Sequence, residues 1–281
     1  MNNFDIFRYK EAGMTNLGVN LLIKFHHQHS QKLGLRQTAQ VAQLKSIADF
    51  MERYKNQDVK LLRECFNQFP SFSILDDVYP ARLREIYNPP TLLFYQGNLE
   101  LLKRVKLAFV GSRDCSTEGQ QAVTKIIKEL CQETVVVSGL ARGIDTASHV
   151  AAIKTETPTI AVIGTGLDVH YPLENAKLQD YMAEHQLVLT EYGPGEKPLK
   201  WHFPDRNRII AGLSKGVVVF EAKLRSGSLI TAERAMEEGR DVFAVPGSIV
   251  AGYSDGCNAL IQEGAKLVYC GRDILDEYVS V

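Results

Sequence analysis

The sequence predicts an α/β protein: a doubly wound, mostly parallel sheet preceded by a small all-helical domain. Three observations carry that expectation. From residue 105 onward, continuous apolar runs of strand length alternate with helical stretches, the pattern of a parallel sheet buried on both faces and joined by right-handed crossovers. Residues 1–88 hold only three of the 21 glycines (Gly13, Gly18 and Gly34), whereas the remainder carries one at nearly every strand-to-helix junction. The apolar residues of the first part recur every three or four positions, which is a helical period. Composition shifts near residue 88, and the expected division is a helical domain over 1–84 and an α/β domain over 85–281.

Taken in chain order, helices are expected first over 20–25 and 38–54, where Leu21, Leu22 and Phe25 and then Val41, Leu44, Ala48 and Met51 share a face. The stretch 58–69 repeats the period with Val59, Leu62, Phe66 and Phe69, and Pro70 ends it. A bundle of about four helices follows. Asp76-Asp77-Val78-Tyr79-Pro80 and Asn88-Pro89-Pro90 are turn signals, because each proline disfavours helix in the residue before it. Residues 91–95 are β-branched and aromatic, a strand opening the second domain. Further strands are expected over 105–110, 134–137, 159–163, 187–190, 217–220, 242–245 and 266–269. Helices between them are expected near 118–131, 145–154, 174–185, 204–213, 227–238 and 255–263.

An apolar fraction of 45% and a charged fraction of 23% exclude disordered and fibrous classes. No run approaches the ~18 apolar residues of a membrane span, and the first ten residues have no signal core. The net charge of −1 means that an anionic partner must be held by a local patch. The five cysteines (Cys65, Cys115, Cys131, Cys257 and Cys270) form no CxxC pair, which suits reduced thiols in a cytoplasmic protein better than a disulfide framework or a zinc site.

Sheets of this kind bind ligands at the carboxyl ends of their strands. The first such junction is Gly111-Ser112-Arg113: a tight turn, free amides beyond it, and a planar cationic fork suited to phosphate. A plain βα turn with its arginine paired to a carboxylate is the equal alternative. Thr117 and Gln120 match a capping box for the helix that follows. Gly139, Arg142 and Gly143 repeat the design, with Asp145 placed to cap the next helix, and Gly164 and Gly166 form a third glycine-bearing loop. Each alone could serve tight packing; three together favour a shared anion groove. Residues 196–228 carry seven basic side chains against three acidic ones, with Trp201, His202 and Phe203 interleaved. Single-stranded nucleic acid needs that mixture, because phosphates take the charge and bases stack on rings. Phe203, beside Pro204, reads better as core; Trp201 stays open. Ser226-Gly227-Ser228 opens a fourth helix, where a serine is either an N-cap or a phosphate ligand.

Catalytic readings fare worse. No Gly-Lys dipeptide exists, so there is no P-loop, and Gly164-Thr165-Gly166 lacks the third dinucleotide-fingerprint glycine. The cluster His26-His27-Gln28-His29 has no further ligands at metal spacing. Asp145 and His149, one turn apart, have no nucleophile nearby, and a cap plus a buried histidine explains them. No metal or cofactor is expected.

Together these residues resemble the DprA/Smf family of DNA-processing proteins, in its streptococcal, competence-type form. The resemblance rests on Asp77-x-Tyr79-Pro80 with Pro89-Pro90-x-Leu92-Leu93-Phe94-Tyr95-x-Gly97, Gly111-Ser112-Arg113, Ser138-Gly139-Leu140-Ala141-x-Gly143-Ile144-Asp145, and Gly164-x-Gly166-Leu167-Asp168-x-x-Tyr171-Pro172. It continues through Glu191-x-x-Pro194-Gly195, Phe203-Pro204-x-Arg206-Asn207-Arg208, Ser226-Gly227-Ser228-Leu229 and Val245-Pro246-Gly247, and covers roughly residues 70–265. It implies an extended Rossmann-like core that binds single-stranded DNA, protects it, and helps load the recombinase RecA during natural transformation, without enzymatic activity. It implies DNA contacts at Gly111, Ser112 and Arg113; position adds Lys200, Arg206, Asn207 and Arg208, with service to the fold as the alternative for the last three. It further implies a sterile-alpha-motif-like helical domain and a homodimer, for which Met236, Ile261 and Leu267 are candidates. The winged-helix domain of many relatives is not expected in a chain that stops at Val281. The rival reading is a nucleotide-handling hydrolase on a related core, with Glu233 as its acid. A third, in which the helical domain docks a regulatory protein, has no sequence feature for or against it.

Overall fold

The computed structural model describes residues 1–29, 31–130 and 134–279; Cys131 and the expected end of the 118–131 helix lie outside them. The N-terminal part contains five helices among the described residues: α1 (Asn3–Glu11), α2 (Asn16–Gln28), α3 (Leu35–Val41), α4 (Ile47–Lys55) and α5 (Val59–Phe66). The helix expected over 38–54 is two, because Gln43 takes φ +53° and Ser46 then accepts a hydrogen bond from Asp49 N to start α4. The first helix carries no strong amphipathic signal, yet Asn2 and Asp5 form a reciprocal capping box there and Phe4, Ile6 and Phe7 are buried.

The α/β part is one nine-stranded sheet in the order β1-β2-β6-β5-β4-β3-β7-β8-β9. Its strands are β1 (Ser71–Ser73), β2 (Leu92–Gly97), β3 (Val105–Gly111), β4 (Thr134–Ser138), β5 (Thr159–Ile163), β6 (Leu187–Thr190), β7 (Gly216–Phe220), β8 (Asp241–Ala244) and β9 (Lys266–Leu267). The seven strands from β3 to β9 pair in parallel, and β1 and β2 add an antiparallel edge. Since β1 pairs with β2, and Leu83 on α6 (Ala81–Arg84) packs in the core with Ile209 and Leu213, residues 71–84 join the sheet rather than the helical bundle. A three-residue strand leaves too little alternation to be read from sequence.

Successive residues of the central strands alternate between two apolar layers. Ala108, Val110, Val137, Val162 and Val219 face one; Leu107, Phe109, Val136, Val218 and Phe220 face the other. The N-terminal helices cover the β2–β6–β5 end of that second face, where Ala161, Ile163, Val188, Leu92 and Phe94 share a cluster with Phe4, Phe7, Val19 and Leu22. Phe7 and Phe66 both meet Phe94, at 5.6 and 5.7 Å between ring centroids. The remaining helices are α7 (Thr117–Glu129), α8 (Ile144–Lys154), α9 (Ala176–His185), α10 (His202–Leu213), α11 (Gly227–Glu237), α12 (Asp255–Gln262) and α13 (Arg272–Val279).

Candidate nucleic-acid interface

Strand order reverses at β3: β4 and β5 lie to one side of it and β7 and β8 to the other. Such a switch point leaves a crevice between loops that diverge from adjacent strand ends. A cavity of about 420 Å³ occupies this position, lined by Gly111, Ser112 and Arg113 after β3, by Lys223, Ser226, Gly227 and Ser228 before and on α11, and by Arg206 and Asn207 of α10. A smaller recess adjoins it, bounded by Arg113, Gly139, Arg142, Gly164, Tyr171, Phe203 and Arg206. The fold therefore gathers eleven expected residues from five chain segments onto one rim.

Local chemistry explains the loop shapes. Gly143 has φ +73°, and a Cβ there would lie 2.2 Å from Ser112 O, so the loop before α8 closes tightly on the loop after β3. Ile144 N donates to Ser112 O at 3.1 Å, which ties the two. Gly139 leaves room for Arg206, whose Nη1 donates to Gly139 O at 2.5 Å and to Val162 O. Arg206 is thus the pillar under the rim: only 4% exposed, its Nε without a partner among the described residues, its pKa lowered to about 10 by burial against the pull of Asp145. Asp145 is not the N-cap of α8, which is Gly143; its carboxylate accepts from Ala141 N at 3.4 Å. Burial raises the Asp145 pKa despite the nearby Arg206. His149 bonds Thr159 Oγ1 at 2.7 Å and is pushed down to about 3 by burial and by Arg206, so it stays neutral.

The exposed cations are Arg113 and Lys223, neither in an ion pair among the described residues, and Arg142, 3.6 Å from Glu174. Arg113 stands 5.7 Å from the ring of Phe203, which lies 5.3 Å from Tyr171. Phe203 is therefore only half-buried and forms the wall of both recesses, not part of the core. Proline at the next position gives no hint of that exposure. Trp201 is 60% exposed and edge-on to Tyr192 at 6.3 Å. Lys200 beside it is exposed and lies outside both recesses.

Several expected residues have other duties. Arg208 is 8% exposed and turned inward: its guanidinium binds Glu191 and donates to Asn88 O at 2.5 Å. Gly166 packs below the 193–195 turn, where a Cβ would meet Gly193 O at 2.6 Å. The amino end of α7 is already answered by Glu221, which accepts from Ser116 N at 2.7 Å and from Ser116 Oγ, while Ser116 rather than Thr117 caps the helix. Lys223 of the basic stretch lines the larger cavity, whereas Glu221 lies outside both recesses and holds the start of α7. Ser226 is the N-cap residue of α11, but its buried Oγ has no hydrogen-bond partner among the described residues. Met236 and Leu267 are about half exposed, Leu267 on the two-residue edge strand β9, and Ile261 is half-buried against the core. Glu233 is exposed and lines neither recess. Among the described residues, no helix is long and apolar enough to cross a membrane and no cluster of side chains could hold a metal ion.

An α/β core of this shape has known counterparts. The model of the family described as DNA recombination-mediator protein A matches residues 71–279, and that of the sterile alpha motif domain of DNA processing protein A matches residues 1–62. The chain belongs to this DprA family. It is 58% identical over 278 residues, 99% of both chains, to the DNA processing protein DprA of Streptococcus pneumoniae, and a solved structure of that protein superposes with a TM-score of 0.97 over 99% of this chain and 98% of the other. It is 51% identical over 201 residues to the Bacillus subtilis DprA, covering 71% of this chain and 68% of that one. The Helicobacter pylori DprA, solved for its single-stranded DNA binding mode, matches at a TM-score of 0.68 and 28% identity, over 75% of this chain and 97% of its own.

Proposed function

We propose that the chain binds single-stranded DNA along the β3–β7 rim, shields it, and delivers it to the RecA recombinase during natural transformation, without catalysing a reaction. The observation that carries this reading is the under-answered positive charge at the switch point: Arg113 and Lys223 at the surface and Arg206 beneath them. Phosphates would meet Arg113, Lys223 and the start of α11, and bases would lie against Phe203, Tyr171 and the neighbouring Trp201. The DNA-binding H. pylori relative and the recombination-mediator family support the same direction. The carboxylates near the rim favour a non-enzymatic role: Asp145 holds a loop amide and Glu221 holds the start of α7. Two copies would join through the face bearing Met236, Ile261 and Leu267, beside the open edge β9, where a paired strand would satisfy unpaired backbone groups.

Titration with labelled oligothymidine beside a duplex of equal length tests the proposal. Tighter binding to the single strand is expected. With about four phosphates neutralised, the slope of log affinity against log salt should be roughly −3. Equal affinity for both forms, or a flat salt response, would remove the electrostatic basis. Release of free base from nucleoside monophosphates would replace a binding role with a catalytic one.

A further inference from the structure

A second concave surface lies away from the strand-end rim and shares no lining residue with it. It is a groove of about 370 Å³ between α2 and the segment 74–89. One wall is the outward stripe of α2, where Leu17, Asn20, Lys24 and His27 follow at helical spacing. The floor and far wall are apolar: Ile23, Ile74, Leu75, Ile86 and Tyr87. Leu17, Leu75 and Tyr87 are 59%, 40% and 91% exposed, an arrangement a monomeric protein rarely leaves uncovered. No Asp or Glu is among the residues lining the groove, whose cationic and imidazole side chains are Lys24, His27 and Arg84. The nearest carboxylate in contact with it, Glu238, accepts the Tyr87 N–H at 2.8 Å.

We infer that this groove docks an amphipathic helix of a partner protein whose apolar face is flanked by Asp and Glu. The α2 stripe from Leu17 to His27 is about 15 Å long at 1.5 Å per residue, room for two to three turns of a helix laid alongside it. A helix fitted to such a groove presents anchors at i, i+3, i+4 and i+7, and the cations at the rim select acidic flanks. A second copy of this chain fits worse, because a two-fold contact between grooves would bring the cations Lys24 and Arg84 of both copies into one interface. Single-stranded DNA fits worse too: the groove is mainly aliphatic, whereas unstacked bases need ring faces.

The test is selection from a displayed library of helical peptides about three turns long, using the full chain with the rim saturated by oligothymidine. Enriched peptides should pair apolar anchors with acidic flanks. Their affinity should fall about tenfold or more on Lys24→Glu, and further on Lys24→Glu/Arg84→Glu or Leu17→Asp. Oligothymidine affinity and the thermal midpoint of Lys24→Glu should stay at wild-type values, so that a folding defect in the double variant does not obscure the result. No enrichment, enrichment of basic or neutral peptides, or equal binding to all variants would overturn the inference. So would displacement of the peptides by excess oligothymidine, or a wild-type oligomer that Lys24→Glu dissociates.

Discussion

The seam that joins the helical domain to the sheet and the rim at the strand ends are both built around buried arginine, but they answer its charge differently. In the seam, Glu191 lies between Lys10 at 2.9 Å and Arg208, and accepts from Asn16 Nδ2 at 2.5 Å. Asn16 Oδ1 in turn accepts from Lys10 and from Thr91 N and Oγ1, so α1, α2, α10 and the residues just before β2 and just after β6 meet in one closed network. Burial alone would raise the Glu191 pKa, yet the two cations and the amide hold it below the ordinary value. At the rim, Arg206 faces carbonyls and a carboxyl whose own pKa is raised. Two arginines two positions apart on one helix thus do opposite work. A cation fully matched inside the protein is structure, whereas one left partly unmatched beneath a surface projects its field toward a ligand.

The largest effect should come from the seam. Arg208→Ala leaves Glu191 buried beside one remaining cation, and breaking a buried pair from one side costs about 3–5 kcal/mol. Urea denaturation should show that loss, while molecules that remain folded keep their oligothymidine affinity. An unchanged midpoint would break the contrast by making Arg208 dispensable to the fold.

Much of this architecture was legible beforehand. The parallel strands announce themselves because each is a continuous apolar run between glycine-bearing loops, and the rim follows from where such strands end. What the sequence concealed is the fate of individual side chains. Arg206 and Arg208 flank Asn207 in one motif, and nothing in Arg206-Asn207-Arg208 distinguishes a pillar from a seam or either from a DNA contact. Their roles depend on partners remote in the chain: Gly139 and Val162 for one, Glu191 and Asn88 for the other. α1 shows no readable period in the sequence, because its buried Phe4, Ile6 and Phe7 span too few turns for one to emerge.

At the rim the next effects are in binding rather than stability. Arg113→Ala removes an exposed cation that is in no ion pair among the described residues, so affinity for every single-stranded sequence should fall by about 1.5–3 kcal/mol with the thermal midpoint little moved. A gel-shift assay that shows full retention would take Arg113 out of the interface. Trp201 is the chain's sole tryptophan, so its fluorescence reports on one place. Stacking on a base should quench it, and Trp201→Ala should weaken binding toward the lower end of about 1–3 kcal/mol. Fluorescence that ignores saturating oligothymidine would end the DNA path at Phe203.

The gentlest test compares the two buried carboxyls, where a one-proton difference is worth at most about 1.4 kcal/mol per pH unit. Glu191 has a depressed pKa in the folded chain, so its contribution is complete above the ordinary glutamate value of about 4.3 and is lost as pH falls through the lower folded value. Asp145 runs the other way. Its folded pKa is raised, so between the ordinary aspartate value of about 3.9 and that raised value the folded chain holds more proton than the unfolded one, and stability from this group declines as pH rises through that interval. Urea unfolding across that range should show Glu191→Gln flattening the acid limb and Asp145→Asn flattening the limb above it. If both variants kept the wild-type slopes, the seam and the rim would not differ in how they balance charge, and the field assigned to Arg206 would lose its origin.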